Sequence, residues 1–226
     1  TMFHSARWDH SADLSGRDVA VIGIGASAIQ FVPEVAKDAE RLTLFQRSSN
    51  YVAPKPDGEF SEATRERFRR HPLLQRLYRL SIWVRFDLRW VMFRKGSKLA
   101  ALGEKRFAAE LGKVVSDDLP AEALLPDYPL GCKRILISND WYPTLLRPNV
   151  AVVTAPVERI TGHGVVANGV EHPADTIIFG TGFASTGFLA PIRVTGRDGR
   201  DLHTEWRDGA EAHLGITVAG FPNLFV

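Results

Sequence analysis

Asp18-Val-Ala-Val-Ile-Gly23-Ile-Gly25-Ala-Ser-Ala28-Ile-Gln30 is an apolar run that closes on two glycines and opens into a helical pattern. Residues 19–22 are continuously apolar and rich in β-branched side chains, which predicts a buried strand. Beyond the glycines, Ala28, Ile29, Val32, Val35, Ala36 and Ala39 recur at helical spacing up to Glu40, with Pro33 in an early turn or at a bend. Arg41-Leu-Thr-Leu-Phe-Gln46 predicts a second strand. Strand, glycine turn, helix and strand make a βαβ unit, whose strands run parallel with a right-handed crossover. The fold class this sets is α/β.

Outward from that unit, residues 51–60 form a Pro/Gly-rich boundary, and a helical pattern then runs from Ser61 to about Gly112. Leu77, Leu80, Val84, Leu88 and Val91 make one apolar stripe there; Trp83, Phe86, Trp90 and Phe93 make another. So much apolar circumference predicts burial between domains, with contact at a membrane surface as the lesser reading. Strand character returns over 133–138, 150–154, 157–160, 164–167 and 170–172, and Asp175-Thr-Ile-Ile-Phe179 ends at Gly180-Thr181-Gly182. The helical block therefore reads as inserted into an α/β domain whose sheet resumes near residue 133.

Gly23-x-Gly25-x-x-Ala28 between a strand and a helix suits a dinucleotide. The first glycine permits a tight turn. The second lets backbone approach a pyrophosphate at the helix N-terminus, where Ala26 and Ser27 offer amides, and the small third residue allows close packing. A site for NAD places an acid at the end of the second strand, whereas a 2′-phosphate needs a cation. Here that strand runs into Gln46-Arg47-Ser48-Ser49, with no acid. Arg47 offers a forked donor and Ser48 a hydroxyl, which predicts NADPH. Gly180-Thr181-Gly182 has Ser185 at its third fingerprint position, so it reads as a turn or a domain crossover rather than a second dinucleotide motif. The seven histidines show no metal-ligand spacing and no metal is expected; Ser27 lacks the setting of a nucleophile elbow.

The 226 residues include 45% hydrophobic and 24% charged side chains, ordinary globular usage that excludes a disordered or collagen-like chain. One cysteine, Cys132, and no apolar run long enough for a signal or a span predict a cytoplasmic setting. The net charge of +2 conceals a division: residues 65–106 hold 13 Lys/Arg and 3 acids, a balance of +10, and the remainder holds 15 against 23, a balance of −8. No zinc-finger, RNP-like or homeodomain-like pattern accompanies the basic stretch, so a solvated basic face is expected rather than a nucleic-acid partner.

Taken together, the motifs resemble a known family. His4-Ser-Ala-Arg-Trp8-Asp9 is similar to the second half of the Baeyer–Villiger monooxygenase fingerprint, FxGxxxHxxxW[P/D]. The glycine turn with its Gln30, Leu-Phe-Gln-Arg47-Ser48, Cys-Lys133-Arg134 and Ile-Ile-Phe-Gly-Thr181-Gly182-Phe follow in that family's order. The resemblance implies a flavin monooxygenase with an FAD domain and a Rossmann-like NADP domain that carries a helical insertion. It implies that NADPH reduces FAD, and that a C4a-peroxyflavin then inserts one oxygen atom of O2 into a ketone. Oxygenation of nitrogen or sulfur, as in a sulfide, and a non-catalytic NADPH-binding module are the alternatives. By the same likeness Arg134 stabilises the anionic peroxyflavin and the ketone-derived intermediate, and Lys133 lies near the NADP phosphate. The resemblance also implies that His4, Trp8 and Asp9 couple domain movement to cofactor handling rather than perform chemistry. The division implied is a fingerprint linker over 1–15, the NADP domain over 16–55 and 132–182, the insertion over 56–131, and the start of a returning FAD-domain segment over 183–226. The first GxGxxG, which holds FAD in that family, lies outside this sequence, so flavin binding is expected to require the portion that carries it.

Overall fold

The computed structural model describes residues 1–94, 97–112, 115, 119–183 and 187–226; Ser185 lies outside them. Two compact units result, Thr1–Thr181 and Gly182–Val226. Along the first unit run β1 (Met2–His4), β2 (Asp18–Ile22), α1 (Ala28–Asp38), β3 (Arg41–Phe45) and β4 (Val52–Ala53). Four helices follow, α2 (Glu62–Arg70), α3 (Pro72–Asp87), α4 (Lys98–Leu111) and α5 (Ala121–Leu124). The unit continues through β5 (Leu136–Ile137), α6 (Trp141–Leu145), β6 (Val150–Val153), β7 (Val157–Ile160), β8 (Gly164–Ala167), β9 (Val170–Pro173) and β10 (Thr176–Phe179).

The expected α/β fold is present: β1, β10, β2, β3 and β6 pair in that order, every neighbouring pair parallel. Alternate residues of its central strands serve two cores. Val19, Val21, Leu42, Leu44 and Ile178 pack with Ile29, Val32 and Val35 of α1 and with Trp141 and Leu145 of α6. Ala20, Phe45 and Ile177 face the other way, against Val165 and Ala167 of β8, the middle strand of the antiparallel meander β7-β8-β9. Each of these large aliphatic side chains contributes about 1.5–3 kcal/mol by leaving water. The sheet is thus sandwiched between helices and a second, antiparallel layer, which is why its strands read as unbroken apolar runs.

Three local readings are corrected. The strand expected over 133–138 is reduced to Leu136–Ile137, which pairs with Val52–Ala53 in a separate two-stranded sheet. The main sheet resumes only at β6, because Leu42 through Phe45 take Val150 through Val153 as partners. The expected linker over 1–15 begins with an edge strand, Met2–His4, paired with Ile177–Phe179. Finally, α3 buries none of its residues within this chain: Leu77 is 52% exposed, Trp83 62% and Phe86 54%. Leu77, Leu80 and Val84 of the expected stripe lie on α3, whereas Leu88 and Val91 fall in a following 3-10 helix, Leu88–Phe93, and among the described residues no element buries the stripe. Among the described residues no helix is long and apolar enough to cross a membrane.

In the second unit, α7 (Leu202–Glu205) is capped by Asp201, which accepts from the Thr204 amide at 2.9 Å, and β11 (Thr217–Val218) pairs antiparallel with β12 (Phe221–Phe225). Among its described residues Leu202 and Phe221 are the buried apolar ones.

Gly23 has φ +102°, and a Cβ there would lie 2.5 Å from the carbonyl oxygen of Gly180. Gly23→Ala is therefore expected to cost about 2 kcal/mol or more in urea unfolding. Gly58→Ala, where a Cβ meets nothing within 4 Å, should stay within about 0.5 kcal/mol of wild type.

Candidate functional site

The site is built on the carboxyl ends of parallel strands, where open α/β sheets hold their ligands. Gly23 leaves β2 there, its amide donating to the Phe45 carbonyl of β3 at 2.9 Å. On the other side, the Gly180 amide at the end of β10 donates to Ile22 at 2.8 Å. Ala28 is fully buried in the first turn of α1, and a Cβ on Gly180 would come within 3.4 Å of its methyl. The first and third small residues of the glycine motif are thus required by one backbone crossing with Gly180-Thr181. Gly25 differs: a Cβ there would meet only the Gly180 oxygen at 4.0 Å, so its outer side is open.

That open side suits an anion. The Ile29 amide is bonded to the Gly25 carbonyl at 3.2 Å, so the amides of Gly25, Ala26, Ser27 and Ala28 precede the first satisfied turn. Ser27 occupies the N-cap yet makes no capping bond, which leaves its hydroxyl uncommitted to the helix. The loop carbonyls are tied elsewhere. Gln30 Nε2 donates to the Ala26 carbonyl at 2.6 Å and Asn50 Nδ2 to the Ile24 carbonyl at 2.9 Å. With its carbonyls engaged, the loop presents mainly donors and the positive end of the α1 dipole, which fits a pyrophosphate.

At the end of β3, buried Gln46 precedes exposed Arg47 and half-buried Ser48. Among the described residues neither Arg47 nor Arg134 has an ion-pair partner. The cation expected for a 2′-phosphate therefore stands one strand over from the glycine turn with its charge uncompensated. Lys133 and Arg134 are exposed and lie before β5 rather than in a strand. Lys133 Nζ sits 4.1 Å above the Tyr128 ring, and the Tyr128 hydroxyl donates to Asn50 Oδ1 at 3.1 Å. Burial pushes the Tyr128 phenol above its ordinary value, keeping it a donor. Lys133 is thus joined to the glycine loop through two residues, whereas among the described residues no contact joins Arg134 to it. Thr181 is exposed beside Gly23, and Gly182 opens the second unit.

The amino-terminal motif lies on the same edge of the sheet, since His4 pairs in register with Phe179, the residue before Gly180. His4 Nδ1 accepts from the Ala6 amide at 3.1 Å. Trp8 lies edge-on between Phe3 and Phe31 of α1, with ring centroids 5.2 Å from each. Asp9 Oδ1 accepts from the Ser11 hydroxyl at 2.6 Å and the Ser11 amide at 2.9 Å, and these bonds hold its carboxyl below the usual range. Asn50 and Tyr128 went unnoticed in the sequence: they are 78 residues apart, and no spacing joins them. Among the described residues no group of His, Cys, Asp and Glu is arranged to hold a metal ion.

No protein-family model matches the chain. It is 44% identical over 225 residues to a Baeyer–Villiger monooxygenase of Pseudomonas aeruginosa, an alignment that covers 99% of this chain and 43% of that protein. A steroid monooxygenase bound to NADP is 31% identical with a TM-score of 0.78, over 99% of this chain and 50% of that one. The OTEMO complex with FAD and NADP is 27% identical with a TM-score of 0.80, again over 99% and 50%. The chain thus spans about half the length, or less, of the relatives it matches. Over nearly its whole length, in sequence and in fold, the chain is therefore similar to about half of a Baeyer–Villiger monooxygenase.

Proposed function

We propose that residues 16–55 and 132–182 bind NADPH, that 56–131 are an insertion into that domain, and that 183–226 begin a returning flavin-domain segment. The protein to which they belong is an NADPH- and FAD-dependent monooxygenase that converts a ketone to an ester. The observation that carries the nucleotide reading is the open side of Gly25, flanked by free helix amides and by Arg47 without an acidic neighbour. Similarity to relatives named Baeyer–Villiger monooxygenase, and to structures with bound NADP and FAD, carries the reaction class. The balance is ketone, O2, NADPH and a proton giving ester, NADP+ and water.

The roles follow from charge and reach. The amides of Gly25, Ala26, Ser27 and Ala28 take the pyrophosphate, while Gln30 keeps the Ala26 carbonyl from opposing it. Arg47, Ser48 and Lys133 take the 2′-phosphate, and Thr181 borders the glycine turn. Bound together, nicotinamide and flavin supply the hydride and the activation of O2. Arg134 supplies a cation beside the oxygen on which negative charge develops, an effect worth several kcal/mol, on the order of 10²–10³ in rate, once water is excluded. His4, Trp8 and Asp9 anchor the fingerprint segment to the sheet edge and α1, so a shift of that segment is felt at the glycine turn.

Two measurements test this. Calorimetric titration should show NADPH preferred over NADH by roughly tenfold to 150-fold, the worth of a charge-assisted contact of about 1.5–3 kcal/mol, with the preference lost in Arg47→Ala. Equal binding of both nucleotides by wild type would remove the case for Arg47. In the complete enzyme, Arg134→Ala should abolish the ketone-dependent rise in NADPH oxidation; a near wild-type rate would sink its role.

A further inference from the structure

We propose that Asn50 and Tyr128 are positioning residues that join the glycine loop and the Lys133 ammonium into one phosphate site, with Tyr128 setting part of the preference for NADPH. The inference rests on the NADPH reading above. Lys133 is reached through the segment 123–133, which belongs to neither flanking strand. That segment is held along the loop after β3 by three side chains of that loop. Gln46 Nε2 donates to the Ala123 carbonyl at 2.5 Å, Ser49 Oγ to Leu124 at 2.6 Å and the Tyr51 hydroxyl to Tyr128 at 3.1 Å. Arg47 lies within the same loop, so the support of Lys133 is docked alongside the other candidate cation for the 2′-phosphate.

Asn50 is the hinge of the arrangement because it faces both ways. Its Nδ2 restrains the Ile24 carbonyl of the glycine loop, and its Oδ1 receives the Tyr128 hydroxyl. The Tyr128 ring in turn lies under the Lys133 ammonium. An ammonium on a four-carbon stem samples many rotamers; an aromatic face beneath it narrows them and lowers the entropy cost of meeting a phosphate. The two functions of Tyr128 are therefore separable, the hydroxyl acting on the loop and the ring acting on the cation.

The test is calorimetric titration of NADPH and of NADH into the 226-residue chain. The variants are Tyr128→Phe, Tyr128→Leu, Asn50→Ala and the double variant Asn50→Ala/Tyr128→Phe. Tyr128→Phe keeps the ring and should weaken both nucleotides about twofold to tenfold, the worth of one net hydrogen bond. Tyr128→Leu should in addition lower the NADPH-to-NADH preference by about twofold to fivefold, the worth of the cation–π contact. The double variant should bind little worse than Asn50→Ala, since both changes break one link. An unchanged nucleotide preference in Tyr128→Leu would overturn the placement of Lys133 by the ring, even if its melting temperature fell. Independent, multiplying losses in the double variant would overturn the link through Asn50. Wild type that binds neither nucleotide would overturn the NADPH reading itself, before any variant is compared.

Discussion

Where β2 and β10 end, the backbone of Gly23 passes so close to that of Gly180 that one added methyl would lie 2.5 Å from a carbonyl oxygen. The candidate site depends on that crossing. It lets β10 lie beside β2 although the two strands are separated by about 150 residues of chain, and it brings Thr181 to the glycine turn. It also sets Gly180 so near α1 that a Cβ on it would lie 3.4 Å from the Ala28 methyl. The amides at the start of α1 are therefore aimed over the sheet edge by packing rather than by a cap, since Ser27 makes no capping bond. A donor-rich loop held in this way needs little reorganisation when an anion arrives.

Polar side chains extend the rigidity outward. Asn50, Gln30, Gln46, Ser49 and Tyr51 all donate to backbone carbonyls, so neither the glycine loop nor segment 123–128 relies on regular pairing for its position. Partly buried hydrogen bonds of this kind are costly to leave unmade, which favours one arrangement over its alternatives. Segment 123–128 is anchored by the bonds from Gln46, Ser49 and Tyr51, while α3 stands with its Leu and Trp residues exposed. The exposed apolar area and the +10 balance over residues 65–106 occupy the same helices, and the acidic remainder of the chain sits elsewhere in the sequence.

Much of the architecture was legible because local rules decide it. An unbroken apolar run such as Val19–Ile22 is compatible with burial on both faces of a sheet, and the structure supplies a layer on each side. The alternation of helical and extended periods located α1, β3 and the meander from β7 to β9. The same rules misjudged short strands. Lys133-Arg-Ile-Leu-Ile-Ser138 has the composition of a strand, but only Leu136 and Ile137 find a partner, in Val52–Ala53. Met2–His4 lacked a pattern long enough to read and became a strand because Ile177–Phe179 offered a free edge.

By itself the sequence determined the α/β class, the βαβ unit, the glycine turn and the cation that ends β3, because each is set by residue types within about a dozen positions of one another. Only the tertiary structure decided that Gly180 is what forbids a side chain at Gly23, and that Asn50 and Tyr128 stand between the glycine loop and Lys133. It also decided that the apolar stripe of α3 goes uncovered by the described residues. Those outcomes rest on contacts between residues tens to more than a hundred positions apart. Such contacts follow from loop closure and packing geometry, which leave no period and no motif in the order of residues.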